Sequence, residues 1–179
     1  ALARTLAVRA VPVALVTDPR GRAWGDRLPD VPIHRIRARQ AEAGLLGKLR
    51  TLSDLAFGTL DARRLLRRLA PPVVVGFGGY AAAPTLFAAR FAGVPIAIHE
   101  QNAVLGRVNG WFAARAALVA TAFPTVAGMP RGAPVTETGN PVRLAIAAVA
   151  GAPYEAPRPD GPFPVLVLGG SQGARIFST

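Results

Sequence analysis

Six short runs rich in valine and isoleucine, with helical patterns between them, constrain this chain's fold more than any other feature. They are VPVALVTD (11–18), VPIHRI (31–36), PVVVGF (72–77), VPIAIHE (94–100), AALVAT (116–121) and PVLVLGG (164–170). Near-continuous apolar runs of this kind read as strands buried on both faces, as in a parallel sheet covered by helices. Helical patterns at 1–9, about 45–69, about 80–92 and about 106–115 supply the crossovers. The alternation predicts an α/β fold, a doubly wound parallel sheet with helices on both faces. Residues 1–149 form one domain in this reading, the proline-rich stretch 150–163 a linker, and 164–179 the start of a second α/β domain.

Composition narrows the partners. The chain is 51% hydrophobic and 17% charged, which suits a packed core and excludes wholesale disorder. It has no cysteine, so neither a disulfide scaffold nor thiolate chemistry is available. No apolar stretch reaches the roughly 18 residues that span a bilayer; Arg90 and Arg115 interrupt the longest candidates. The opening ALARTLAVRAVPVALV reads as a helix end entering a strand, because Arg4 and Arg9 leave too short an apolar core for a signal peptide. A soluble or peripheral protein is expected. The net charge of +11 calls for anionic partners, whether nucleic acid, phosphorylated substrates or an anionic membrane surface. A nucleic-acid-binding module would account for the charge but not for the buried-strand pattern, and no aromatic-rich binding strand is present.

In parallel sheets ligands bind beyond the carboxyl ends of the strands. That rule selects GFGGY (76–80), HEQN (99–102) and GGSQGAR (169–175), all strand exits opening toward one edge. In the last of these, Gly169, Gly170 and Gly173 allow close backbone approach to an anion at a helix start, and Ser171 adds a hydroxyl donor. It is neither a Walker loop nor GxGxxG, and a ligand-free turn is its plain alternative. Gly78 and Gly79 before Tyr80 offer similar potential, or a simple turn. His99 alone would be a satisfied core histidine; four consecutive polar residues at a crevice favour a site, with Glu100 and Asn102 suited to sugar hydroxyls. Arg143, in GNPVR (139–143), reads from sequence alone as a solvated arginine. No D-x-D pair or His/Cys cluster with metal spacing occurs, so no metal is expected.

The helix at 45–69 carries two stripes. Leu52, Leu55, Ala62, Leu66 and Leu69 suit a core. Leu45, Leu49, Ala56 and Leu60 form a second stripe that Arg63 and Arg67 continue, with Lys48, Arg50 and Arg64 beside it. An apolar patch bordered by bases fits a membrane surface; a helix wedged between neighbours with solvated arginines is the other reading.

GFGGY, HEQNAVLGRVN, GNPVR and GGSQGAR, in this order and spacing over nearly the whole chain, resemble the MurG family. These bacterial enzymes transfer N-acetylglucosamine to undecaprenyl-pyrophosphoryl-N-acetylmuramyl-pentapeptide. The resemblance implies a GT-B architecture of two Rossmann-like domains facing a cleft, with the acceptor on the first and the UDP-sugar mainly on the second. It implies UDP-N-acetylglucosamine contacts at Asn102, Arg143 and Ser171, with Gly170, Gln172 and Gly173 on the same loop. Tyr80, Gly78, Gly79, His99 and Glu100 would line the acceptor side, and His99 or Glu100 would be the visible choices for a catalytic base. An inverting displacement, no cofactor, no nucleic acid, and a peripheral position on the cytoplasmic face of the bacterial inner membrane also follow from the likeness. A first strand with its glycine-rich loop is expected ahead of Ala1, and most of the second domain beyond Thr179, so these residues alone are expected to be inactive. A UDP-sugar 2-epimerase of the same architecture is the enzymatic alternative, which would need no lipid acceptor.

Overall fold

Valine and isoleucine carry the strands because their branched side chains pack well on a pleated surface, while glycine and proline end the elements. A computed structural model describes residues 1–19, 28, 31–38, 44–153, 156–157, 161–163 and 165. It divides into a compact unit, Ala1–Arg143, and a second unit, Leu144–Thr179. The division precedes the boundary expected at 149.

In the first unit, helix α1 (Leu2–Val8) leads to β1 (Leu15–Thr17), which pairs in parallel with β2 (Ile33–Arg35). Helix α2 (Leu45–Leu69) follows, then β3 (Val74–Gly76), α3 (Ala83–Ala92), β4 (Ile96–Glu100), α4 (Arg107–Phe112), β5 (Leu118–Thr121) and β6 (Val135–Glu137). Strands β3 to β6 form one sheet in sequential order, all parallel. The five expected strands and four expected helices within the described residues are present, with shorter strands than the apolar runs suggested. The sequence reading missed β6, whose three residues are all exposed and carry no apolar run. The run at 164–170 lies outside the described residues apart from Val165.

Ile98 and Val119 on the sheet, Leu86, Ala88 and Ala89 of α3, and Phe112 and Ala113 at the end of α4 lie in the core. Burying a side chain the size of Leu86 or Ile98 stabilises the fold by about 1.5–3 kcal/mol. Phe87 extends this packing outward, its ring edge-on to Phe112 at 5.0 Å and tilted against Trp111 at 5.8 Å. Helix α2 lies against α3 through small residues, with Ala62 and Gly58 buried. A methyl group added at Gly58 would overlap the Arg37 carbonyl oxygen and press on Pro84, so the approach of chain to helix there requires glycine.

Two residues of the expected core stripe are not in the core. Leu52 is 63% exposed and Leu69 is 42% exposed, whereas Leu65, not assigned to the stripe, is buried with Ala62 and Leu66. Helix α2 is 25 residues long, and among its first two turns only Gly47 is buried. The second unit begins with the short helix α5 (Leu144–Ala147), all of whose residues are exposed.

Candidate functional site

Because β3 to β6 are parallel, their carboxyl ends lie at one edge, and the loops that leave them meet there. Gly78 and Gly79 after β3 adopt φ of 74° and 72°, the left-handed region that glycine occupies without strain. Gly78 is also closely packed, since a methyl group there would stand 3.1 Å from Asn109 Nδ2. Tyr80 follows, half-buried, its hydroxyl accepting a hydrogen bond from Arg107 Nη1 at 3.2 Å.

At the end of β4, Glu100 is only 1% exposed. Oε1 accepts from the Asn102 backbone N–H at 3.0 Å and from Asn102 Nδ2 at 2.9 Å. Oε2 accepts from the Gly106 N–H at 2.9 Å and from Asn109 Nδ2 at 2.8 Å. Burial by itself would push this carboxyl up, but the bonds from Gly106, Asn109 and Asn102 together hold it below the usual carboxylate range. The loop 101–106 is pinned a second time, where Leu105 N donates to the Ala127 carbonyl at 2.9 Å and Ala127 N to the Ala103 carbonyl at 2.8 Å. Asn102 itself is exposed, so the double attachment fixes the backbone that presents it.

His99, 6% exposed, ties this exit to the one after β6. Its Nε2 lies 3.0 Å from the Gly139 carbonyl oxygen and its Nδ1 lies 3.1 Å from Gln101 Nε2. The same Gln101 nitrogen donates to the His99 carbonyl at 2.9 Å, so the reversed amide would set two oxygens together. Gln101 therefore donates to Nδ1, and Nε2–H donates to Gly139, which fixes the neutral tautomer. Phe77 covers the ring, with centroids 5.6 Å apart.

Both ring nitrogens of His99 and both carboxylate oxygens of Glu100 are thus engaged within the protein, which gives the two side chains a part in holding the loops at this edge. The sequence reading missed Asn109, which is buried on α4 and bonds both Glu100 and the His99 carbonyl. Its signal was available: an asparagine on a short helix otherwise facing inward with Val108 and Phe112. Arg143 is exposed at the end of the first unit. Gly170, Ser171, Gln172 and Gly173 lie outside the described residues.

The expected second stripe of α2 is exposed at Leu45, Leu49 and Leu60, and Leu46, Leu52 and Phe57 widen it. Lys48, Arg50, Arg63, Arg64 and Arg67 are exposed beside it, with Arg64 3.3 Å from Asp61. Among the described residues no helix is long and apolar enough to cross a membrane.

Comparison with known proteins agrees with this geometry. A transferase of Rhodospirillum centenum is 55% identical over 179 residues, covering 99% of this chain and 47% of the relative. One of Rhodospirillum rubrum is 48% identical, covering 100% of this chain and 46% of the relative. Both are named UDP-N-acetylglucosamine–N-acetylmuramyl-(pentapeptide) pyrophosphoryl-undecaprenol N-acetylglucosamine transferase. The chain thus spans about half the length of the curated relatives it matches. The crystal structure of Acinetobacter baumannii MurG superposes with a TM-score of 0.63 at 33% identity, over 78% of this chain and 41% of that one. Residues 1–121 match the N-terminal domain of glycosyltransferase family 28. With a parallel α/β sheet, glycine-rich and polar strand exits at one edge, and this match over most of its length, the chain belongs to glycosyltransferase family 28.

Proposed function

We propose that the protein containing this chain transfers N-acetylglucosamine from UDP-N-acetylglucosamine to the C4 hydroxyl of an undecaprenyl-pyrophosphoryl-N-acetylmuramyl-pentapeptide, as the names of its relatives describe for them. The observation that carries this reading is the 55% identity to such a transferase over 99% of the chain. The rigid exits after β3 and β4, with Tyr80 and Asn102 accessible at the edge, support a sugar-binding surface.

In this reading the acceptor hydroxyl attacks the anomeric carbon of the α-linked donor and UDP leaves, giving a β-1,4 bond by inversion. Asn102 contacts the donor, and Arg143 supplies positive counter-charge for the departing UDP. His99 and Glu100 hold the site's loops. Peripheral attachment to the cytoplasmic face of the inner membrane comes from the exposed leucines of α2 and their neighbouring bases, which combine apolar burial with attraction to anionic lipid.

Incubating full-length protein with UDP-N-acetylglucosamine, with and without the lipid-linked acceptor, tests the proposal. Disaccharide formed only in the presence of acceptor is expected. Turnover of the donor alone to its 2-epimer, or no turnover with either mixture, would overturn it.

A further inference from the structure

Two asparagines hold one carboxylate at the edge of the sheet. Asn102, exposed on the loop after β4, places its backbone N–H and its Nδ2 on Glu100 Oε1, at 3.0 and 2.9 Å. Asn109, 2% exposed on α4, places its Nδ2 on Oε2 at 2.8 Å. The two oxygens belong to one planar group, so a turn of the carboxylate that disturbs one of these bonds disturbs the others. Asn109 resists such a turn, because the same Nδ2 donates its second proton to the His99 carbonyl at 3.1 Å. Both of its amide protons are therefore committed to the end of β4.

The Asn102 amide inherits this order. With Nδ2 held on the carboxylate, the directions of its Oδ1 and its remaining Nδ2 proton are set by that bond. An exposed asparagine otherwise samples several rotamers, and fixing one before a ligand arrives lowers the entropy cost of binding. Asn109 also meets the neighbouring strand exit. A methyl group at Gly78 would stand 3.1 Å from Asn109 Nδ2 and 3.3 Å from both Cγ and Oδ1, so the whole amide packs against the Gly78 backbone.

We propose that Asn109 is a positioning residue for the sugar donor: through Glu100 it orients the Asn102 amide, and through Gly78 it makes that orientation respond to the exit after β3. Asn109 is buried, and its effect on transfer passes through Asn102. The role rests on the transferase reading, in which Asn102 contacts the donor, and adds what holds that contact in place.

In full-length Asn109→Asp an oxygen replaces the donating Nδ2 and faces the Glu100 carboxylate. Donor KM should rise about fivefold, the loss of one hydrogen bond, with kcat and acceptor KM changed by less than about twofold. Two carboxylates at hydrogen-bond distance hold a shared proton to higher pH than a lone one, and that proton restores a bond between them. The excess in donor KM over the native protein should therefore shrink as pH falls, which a folding defect would not do. In an Asn102→Ala background the same substitution should add less than about twofold, because contacts acting in series are not additive. Gly78→Ala, which displaces the amide without changing its chemistry, should also raise donor KM only where Asn102 is present, and it decides the matter if Asn109→Asp does not fold. An unchanged donor KM in these variants, or a rise that persists at full size without Asn102, would overturn the inference and leave the transferase reading standing. With isotopically labelled asparagine, the Asn102 side-chain amide resonance should move in folded Asn109→Asp whether or not sugar is transferred. An unmoved resonance overturns the inference; a moved one in a protein that transfers no sugar supports the link from Asn109 to Asn102 and refutes the transferase reading.

Discussion

Replacing Glu100 with glutamine separates a structural carboxylate from a catalytic one. The substitution keeps the volume but exchanges one acceptor oxygen for an N–H₂ group. Four donors converge on the native carboxylate, at 2.8 to 3.0 Å. With the remaining oxygen directed at Asn102, the new amide faces two donors, the Gly106 N–H and Asn109 Nδ2. Asn109 cannot turn its amide over to compensate, because its oxygen would then meet the His99 carbonyl that its nitrogen now bonds. A hydrogen bond to a charged group contributes about 1.5–3 kcal/mol, so losing two costs roughly 3–6 kcal/mol before solvent relaxation. Water can reach the half-buried Gly106, which brings the expected loss to about 2–4 kcal/mol. That is a large share of the roughly 5–15 kcal/mol by which domains are stable.

Urea denaturation of the chain measures this as a fall in midpoint at constant slope. The folded-state pKa of Glu100 is lowered, so its contribution is fully present above the unfolded value of about 4.3 and is lost as pH falls through the lower folded value. Glutamine does not titrate. The stability gap between the native chain and Glu100→Gln should therefore be widest at neutral pH and narrow below about pH 4. In full-length protein the loosened 101–106 loop should raise KM for the sugar donor more than it lowers kcat. A gap under about 0.5 kcal/mol at pH 7, the size of an ordinary surface substitution, together with lost kcat, would refute the argument and return Glu100 to proton transfer.

Asn102→Ala in full-length protein should reduce kcat/KM for the donor by the equivalent of about 0.5–1.5 kcal/mol, with the fold intact by circular dichroism; unchanged kinetics would remove Asn102 from the site. Gly58→Ala should lower the unfolding free energy measured by urea denaturation by more than the roughly 1–3 kcal/mol typical of overpacking, since the added methyl meets backbone at Arg37, and a neutral result would mean that α2 moves freely there. Charge reversal of Arg63, Arg64 and Arg67 to Glu should release full-length protein from anionic vesicles, as should raised salt, while a soluble short-chain acceptor is still used; retained binding would place the membrane contact elsewhere. EDTA should leave most transferase activity, and loss restored by a divalent ion would show that the leaving group is not handled by protein donors alone.

The parallel sheet was legible because its strands appear as uninterrupted valine and isoleucine runs, but the burial on both faces that those runs suggested holds mainly for β4, since β3 and β5 leave Val75 and Leu118 exposed. Strand β6 was not, because an exposed edge strand of three residues leaves no such run. Helix α2 was legible in extent but only partly in orientation. Periodicity assigns a face to the whole of a long helix, whereas packing partners cover only part of it. Leu52 therefore shared a stripe with buried Leu66 while standing mostly exposed itself.

The site divides along the same physical line. Glycine at 78 and 79 and the polar run 99–102 marked the strand exits, since those residue types at those positions follow from local backbone demands. What each polar side chain does there is set by partners distant in sequence, which residue type alone does not reveal. Glu100 and Asn102 are equally polar in the sequence, yet one turns inward to collect donors from 102, 106 and 109 and the other remains exposed. The donors themselves explain the choice. Gly106 is the residue before the first turn of α4, where backbone N–H groups lack helical acceptors, and Asn109 lies one turn further along the inward face. A carboxylate at the end of the neighbouring strand satisfies both, and in doing so fixes the one segment between them, residues 101–106, on which an exposed Asn102 can be aimed at a ligand.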